Sequence, residues 1–121
     1  DMLVPEIEID ASIPLYDLTM KLYNILEQMA PFGPGNMRPV FCTRNLRDTG
    51  FSKIVGNNHL KLDLTDDMNT RMSAIAWGMG DFIHEIKNKK YFDICYTVEL
   101  NEWNGNTNLQ LNVKDIKIHD S

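Results

Sequence analysis

The 121-residue sequence predicts a mainly β fold, a small barrel of five strands with one helix between the third and fourth strands. Alternation of apolar and polar residues at period 2 recurs after residue 39 and is clearest over residues 59–64. Turn-forming Gly, Asn and Asp residues separate the alternating stretches. Before residue 39 the apolar spacing is helical. We therefore predict an N-terminal part, residues 1–38, and a barrel, residues 39–121.

The N-terminal part is predicted to hold an extended arm and an amphipathic helix. Residues 6–10 alternate charged and apolar side chains, as a strand with one buried side does. A chain that opens on such an arm is expected to be a piece of a larger protein. From Leu18 to Met29 apolar residues recur at helical spacing, which predicts a helix capped by Asp17 that ends at Ala30. Such a stripe is typical of packing, so no binding role is assigned to it.

Residues 31–41, PFGPGNMRPVF, are predicted to join the helix to the barrel. They cannot continue a helix, because Pro lacks an N–H group and Gly and Asn favour positive φ. Pro39 favours an extended conformation at Arg38, after which the first strand begins. Gly33 and Gly35 would also allow the close approach of another backbone or of a ligand. We interpret this stretch mainly as a rigid joint.

The first strand is predicted over residues 40–46, with a break at 47–50 and a continuation over 51–55. A strand that bends at a glycine is how small barrels turn a corner. A tight turn at 56–58 leads into the second strand, 59–64. Three leucines of the second strand are predicted to face the core: Leu60, Leu62 and Leu64.

The third strand is predicted over residues 71–77, followed by a helix over 81–90 that Asp81 caps. The fourth strand covers 91–100, and 101–107 is predicted to be a loop with an Asn-Gly turn. The fifth strand covers 108–119, and its alternation slips near residues 114–115, which predicts a β-bulge there. This order of strands and helix is that of an OB-fold, a Greek-key barrel that binds oligonucleotides or oligosaccharides on its strand 2–3 face and on its 1–2 and 4–5 loops.

The charge distribution matters more than the net charge of −5, which argues mildly against binding through bulk charge. Residues 38–61 form a basic island of five cations and one acid between two acidic flanks. Such an island is either a local binding field or a set of ordinary solvated cations. The chain has no run of about 18 apolar residues, so no membrane span is expected. Cys42 and Cys95 are interpreted as buried thiols rather than a disulfide, which favours a reducing, cytoplasmic setting.

Three phrases go beyond architecture, and they lie in the order and spacing of a known family. Residues 30–41 resemble the PFGxGNxxPxF signature of bacterial RecJ proteins, and 56–62 resemble the family's G…HLKL strand. Residues 101–105 with 110–116 resemble its closing NEWxG…QLxVxDI. Met37 stands where the family usually has Pro, and Trp77 where it often has Phe. The match covers residues 18–116 and implies the C-terminal OB-fold domain.

The resemblance implies a parent that is a single-stranded-DNA-specific 5′-to-3′ exonuclease of DNA repair and recombination. That family's chemistry belongs to DHH-type domains that hold divalent metal, Mn or Mg. This chain has no Asp-His-His triplet, and His59, His84 and His119 are scattered without metal-ligand spacing. We therefore expect no catalytic residue, metal or cofactor here, with single-stranded DNA and the parent's catalytic domains as partners.

Non-specific binding of single strands needs cations for phosphates and aromatic faces for bases. The third strand fits two registers, one of which buries Trp77. We predict that Trp77 is a core residue rather than a stacking platform. Trp103 is either a lid on the barrel end or a stacking surface. The full set of candidate DNA contacts is Arg44, Arg47, Lys53, Asn58, His59, Lys61, Arg71, Trp77, Trp103 and Gln110.

Two functions remain open on the sequence. The first is an accessory domain that guides single-stranded DNA to a nuclease core, with little sequence specificity. The second is a docking module that contacts the parent's other domains or a partner protein and has no DNA binding of its own. A stand-alone enzyme has little support, because no carboxylate pair, nucleophile–base set or phosphate loop emerges.

Overall fold

The computed structural model describes residues 11–31, 37–88 and 90–119. The predicted arm at 6–10, Gly33 and Gly35 lie outside the described residues. The strands are β1 (Ala11–Ser12), β2 (Phe41–Asp48), β3 (Lys53–Val55), β4 (His59–Thr65), β5 (Arg71–Ala76), β6 (Phe92–Trp103) and β7 (Asn106–Ile118). The helices are α1 (Met20–Glu27) and α2 (Ile83–Lys87), each preceded by a 3-10 turn, Leu15–Asp17 and Gly80–Phe82.

The strands form one sheet that closes on itself. Its order is β1-β2-β6-β7-β5-β4-β3, and β2 also pairs with β4, which completes the ring. Between barrel strands the β5–β7 pairing is parallel and the others are antiparallel. Since β2 and β3 are the two halves of one bent strand, the ring has five strands with α2 between the third and the fourth. The predicted OB-like barrel is confirmed.

The corner between β2 and β3 is held by a buried carboxylate. Asp48 accepts a hydrogen bond from the Ser52 backbone N–H at 3.1 Å, and its side chain lies 3.4 Å from the Lys87 ammonium. Lys87 also donates to the Gly50 carbonyl at 2.9 Å, and Gly50 has a φ of +108° that favours glycine. Ser52 Oγ in turn accepts from the Asp63 backbone N–H. The corner therefore ties β2, β4 and α2 together.

The second and third strands show which register the alternation selects. Leu60, Leu62 and Leu64 are 0–1% exposed, as predicted. Their neighbours across the ladder include Ala74 and Ala76, which are buried beside Leu62 and Leu60. Because successive side chains of a strand point to opposite faces, Trp77, next to the buried Ala76, lies outside the barrel and is 58% exposed. The expectation of a core Trp77 is therefore wrong, because small alanines rather than the larger side chains fill the inner face of β5.

Both helices differ from the prediction at their ends. Thr19, not Asp17, caps α1, since its Oγ1 accepts from the Leu22 backbone N–H at 3.2 Å while Asp17 belongs to the preceding 3-10 turn. The helix ends at Glu27, before the predicted Ala30. Asp81 lies within the 3-10 turn and does not cap α2. The α-helix itself is only five residues long. Among the described helices, none is long and apolar enough to cross a membrane.

The predicted loop at 101–107 is wrong. Strand β6 continues to Trp103 and strand β7 begins at Asn106, so only Asn104 and Gly105 form the turn. Both turn residues have positive φ, 55° and 80°, which is the type I′ geometry that Asn-Gly favours. The predicted bulge is confirmed, because the β6–β7 register skips Lys114.

The two cysteines lie opposite each other on β2 and β6 and are buried free thiols, as predicted. Burial raises the pKa of Cys95 to about 11, so its thiol stays protonated at neutral pH.

Arg38 connects the N-terminal part to the barrel, since its Nη1 donates to Glu27 Oε2 at 3.1 Å and to the Val98 carbonyl at 3.2 Å. The division of the chain at residue 38 stays a prediction.

We expect Gly80→Ala to destabilise the corner next to the β3–β4 turn. A Cβ atom at Gly80 would overlap the Asn58 side-chain oxygen and would lie 2.8 Å from Ile54 Cδ1 and 3.1 Å from the Asn58 backbone. Because backbone must move, the free energy of unfolding should fall by about 1–2 kcal/mol. Urea unfolding would measure this. Gly105→Ala is not a matched control because its φ is positive, whereas Thr107→Ala on the exposed hairpin should change stability by less than about 0.5 kcal/mol.

Candidate nucleic-acid interface

A groove crosses the outer face of the barrel between β3–β4 and the end of the β6–β7 hairpin. Ladder partners place Lys53, Lys61, Ile75 and Asn112 in one row on this face. The groove has two depressions of about 260 and 350 Å³ that share Lys61. The first is lined by Phe51, Lys53, Lys61, Leu62, Asp63 and Ser73. The second is lined by Lys61, Asn101, Trp103, Asn106 and Asn108. We call the whole the hairpin groove.

Two lysines form the middle of the hairpin groove. Lys53 and Lys61 lie directly opposite each other on β3 and β4. Like charges in this position repel, and neither lysine forms an ion pair with any part of the chain that the structure describes. An anion placed between them would relieve this repulsion. The groove therefore has the electrostatics of a phosphate site.

The acid of the groove is already neutralised. Asp63 is ion-paired with Arg71 and accepts a hydrogen bond from Thr49 Oγ1 at 2.9 Å. The Arg71 guanidinium also lies over the Phe51 ring, 5.8 Å from its centroid. Arg71, a predicted contact, thus borders the groove with its charge paired to Asp63 and its guanidinium over the Phe51 ring.

Exposed aromatic rings flank the two lysines. Phe51 is 72% exposed at one end of the groove, and Trp103 is 69% exposed at the other. Trp103 stands at the end of a strand, so neither a lid nor a loop position describes it. Its neighbour across the ladder is Asn106, and Asn101 pairs with Asn108 on the same face. Phe51 and these asparagines were missed from the sequence, although the Asn-rich alternation of residues 101–108 was a usable signal.

Three predicted residues meet at the β3–β4 turn, on the same outer face as Lys61. Asn58 Nδ2 donates to the Gly78 carbonyl at 3.3 Å, and the Gly78 N–H donates to His59 Nδ1 at 3.0 Å. The His59 and Trp77 rings pack edge to face, with centroids 4.9 Å apart. This turn cluster, Asn58, His59 and Trp77, extends the aromatic surface beyond the groove.

The remaining predicted contacts are already engaged or line neither depression, as with Gln110, which lies on the outer face of β7 between Asn108 and Asn112. Arg47 lies 3.4 Å from the Asp67 carboxylate, and its guanidinium covers the Tyr91 ring at 5.6 Å. Arg44 lies at the bulge of β2, a strand that pairs with β6, and lines neither depression. Gln110 is half-buried on β7 opposite Glu99. The structure therefore brings Lys53, Lys61 and Trp103 together but not the arginines of the basic island.

The three histidines are far from forming a common site. His119 Nε2 lies 2.7 Å from Asp93 Oδ1, His59 packs on Trp77 at the start of β4, and His84 lies on α2. Within residues 11–31, 37–88 and 90–119, no group of three or more His, Cys, Asp or Glu side chains could hold a metal ion.

Comparison with known proteins identifies relatives of the whole chain. Residues 9–115 match the family model described as the RecJ OB domain. The single-stranded-DNA-specific exonuclease RecJ of Bacillus subtilis is 23% identical over 118 residues, which are 97% of this chain and 15% of that protein. RecJ of Thermus thermophilus, solved in complexes with Mn²⁺ and with Mg²⁺, superposes with TM-scores of 0.72 and 0.71 at 19% identity. These superpositions cover 95% of this chain and 16% and 17% of the Thermus chains. The chain thus spans about one sixth of the length of these relatives.

Proposed function

This chain belongs to the RecJ OB domain family, and from that membership we propose that it is a single-stranded-DNA-binding accessory domain of a RecJ-type exonuclease. The observation that carries the proposal is the hairpin groove, in which two opposed lysines that form no ion pair with the described residues lie between two exposed aromatic rings. The cations would take phosphates, and the rings would stack on bases.

The groove chemistry favours a single strand over a duplex. Phe51 and Trp103 can only stack on bases whose faces are free, and a duplex buries those faces. Stacking is tolerant of sequence because every base has a π-face. The turn cluster would extend the bound strand beyond the groove at the other end of β4.

On this proposal the domain holds the strand and the parent's other domains cut it. The parent would be a 5′-to-3′ exonuclease of DNA repair and recombination, working in the reducing cytoplasm. Its Mn²⁺ or Mg²⁺ would be held by the catalytic domains, which would also be this domain's partners within the chain. This chain's own contribution is to bind and orient the strand.

The test is fluorescence anisotropy of a labelled single strand titrated with the chain at several salt concentrations. We expect binding that weakens as salt rises and that exceeds binding to a duplex of the same length. Lys61→Ala should weaken binding severalfold and reduce the slope of log K against log salt by about 0.7, the contribution of one phosphate contact on a single strand.

Lys114→Ala is the matched control, since it removes the same charge from the exposed bulge of β7 outside the groove. It should leave affinity and slope nearly unchanged. Equal losses of affinity in both variants would mean that binding depends on the overall charge of the chain rather than on a cation in the groove. No binding at the lowest salt would overturn the proposal.

One observation favours the alternative function, docking to another protein domain. Helix α1 and the turn after it expose apolar side chains, with Met20, Ile25 and Met29 each 44–49% accessible. A shallow depression of about 310 Å³ beside α1 is lined by four apolar and three polar residues: Ile13, Leu22, Ile25, Phe41, Asp17, Thr19 and Lys21. A domain that docks through this face would bind its partner with little dependence on salt. The salt series therefore separates the two functions.

A further inference from the structure

We propose that the hairpin half of the groove is a base-reading subsite that prefers adenine, an inference that rests on the proposed function and adds specificity to it. The subsite comprises Trp103, Asn101, Asn106 and Asn108 on the hairpin and Lys61 from β4. The depression that they line has a volume of about 350 Å³.

The asparagines of the subsite are unusual at strand positions and are not engaged by the part of the chain that the structure describes. Asn is depleted in β-strands, because it packs poorly on a pleated surface and competes for the backbone. Nevertheless Asn101, Asn106 and Asn108 lie on one face of the hairpin end, and within the described residues their amides form no hydrogen bond. Asn112 further along β7 shows the structural use, since its Nδ2 donates to Glu99 Oε2 at 2.9 Å. The three amides near Trp103 are therefore available to a ligand.

The register places these amides around the Trp103 ring. Trp103 and Asn106 are directly opposite each other, and the next pair on the same face is Asn101 with Asn108. Directly opposed side chains have Cβ atoms about 5 Å apart, and successive pairs on one face are about 7 Å apart. A base stacked on Trp103 would therefore have its edge towards the Asn101–Asn108 pair. Lys61, across the groove, would take the adjoining phosphate.

The chemistry of the lining selects the base. An Asn amide presents a donor and an acceptor side by side, which matches N7 and N6 of adenine in a bidentate contact. In a single strand the Watson–Crick edge of every base offers a matching pair as well, and adenine differs from the other bases because its N7 edge also matches. The described lining holds no carboxylate to accept from the cytosine amino group, and its cation Lys61, which could donate to guanine O6 and N7, is assigned to the adjoining phosphate. A purine also offers Trp103 a larger stacking face than thymine does. Adenine is thus the base that satisfies both the ring and the amides.

The experiment compares single-base changes in an otherwise all-thymine strand of about 12 nucleotides, within the site sizes of single OB-folds. One central thymine is replaced by adenine, by 7-deazaadenine, which lacks the N7 acceptor, or by guanine. We expect adenine to tighten binding about fivefold, corresponding to about 1 kcal/mol, and 7-deazaadenine to lose most of that gain. This ligand series uses the unmodified chain, so it does not depend on the folding of any variant.

Asn101→Ala with Asn108→Ala should abolish the adenine preference, so that this variant binds the adenine and all-thymine strands with equal affinity. Thr107→Ala, on the opposite face of the same hairpin, is the matched control and should keep the preference. Equal binding of the thymine and adenine strands would overturn the subsite and leave the proposed function standing. A preference for guanine, or one that survives in 7-deazaadenine, would overturn amide reading of adenine. Failure of every strand to bind would overturn the proposed function together with the subsite.

Discussion

Replacing Trp103 with alanine should weaken single-strand binding by about 5- to 150-fold, the equivalent of about 1–3 kcal/mol. The ring is 69% exposed at the end of β6 and forms the end wall of the hairpin groove. Because it buries little surface in the free domain, its removal should cost little stability. Anisotropy titration with a thymine strand measures the affinity, and urea unfolding verifies that the fold is retained.

Two variants make the Trp103 result specific. Trp103→Phe keeps an aromatic face and should retain most of the affinity, since stacking rather than hydrogen bonding is the interaction. Glu102→Ala changes the neighbouring residue, which pairs with Thr107 on the opposite face of the hairpin. That variant should bind as the unmodified chain does or slightly more tightly, because it removes a negative charge. If Trp103→Ala bound normally while Phe51→Ala did not, the strand would lie at the other end of the groove.

The order of elements could be predicted because the relevant signals are local. The alternation of Leu60, Leu62 and Leu64 sets the inner face of β4 wherever the strand lies. The slip near Lys114 predicts a bulge for the same reason. The residue at which a helix begins depends on small differences between neighbouring candidates. Thr19 rather than Asp17 caps α1, because Asp17 belongs to the preceding 3-10 turn.

The register of β5 could not be predicted because both of its faces carry apolar residues. The choice between Ala74 and Ile75 as a core residue is made by the volume left beside the leucines of β4, which is a property of the closed barrel. Trp77 follows that choice to the outer face. The loop at 101–107 was wrong for another reason, since the polar composition of the hairpin end reflects exposure of both its faces rather than absence of strand.

The site could be predicted only in part because a groove is assembled from distant segments. Lys53 and Lys61 stand out in the sequence as basic residues, but their opposition across β3 and β4 arises from the turn between them. Charge counting also included Arg47, whose positive charge the fold pairs with Asp67. Phe51 reads as an ordinary strand residue in the sequence. It becomes an exposed ring only because the corner at Gly50 turns the chain there.

Replacing Asp48 with asparagine should lower the free energy of unfolding by about 1.5–3 kcal/mol. Its carboxylate is 5% exposed and holds the corner through the Ser52 N–H and the Lys87 ammonium. Asparagine has nearly the same shape but no charge, so Lys87 would lose its partner and the hydrogen bonds to a charged acceptor would weaken. Asp81→Asn, an exposed acid on the neighbouring 3-10 turn, is the control and should change stability by less than about 0.5 kcal/mol. Urea unfolding is the measurement, because urea leaves the ion pair unscreened.

The stabilisation by Asp48 should depend on pH, and the sign of this dependence follows from the pKa of its carboxyl group. Burial acts to raise this pKa, but hydrogen bonds from Ser52 and Gly50 and the charge of Lys87 outweigh burial and lower it below its ordinary value. Because the folded-state pKa is lower than the unfolded one, the stabilisation is present above about pH 4 and is lost as the pH falls through the folded-state value. The stability difference between the unmodified chain and Asp48→Asn should therefore be constant from about pH 5 to pH 8 and shrink in stronger acid. A difference that stayed constant into strong acid would show that loss of the carboxylate charge is not what destabilises the Asp48→Asn variant.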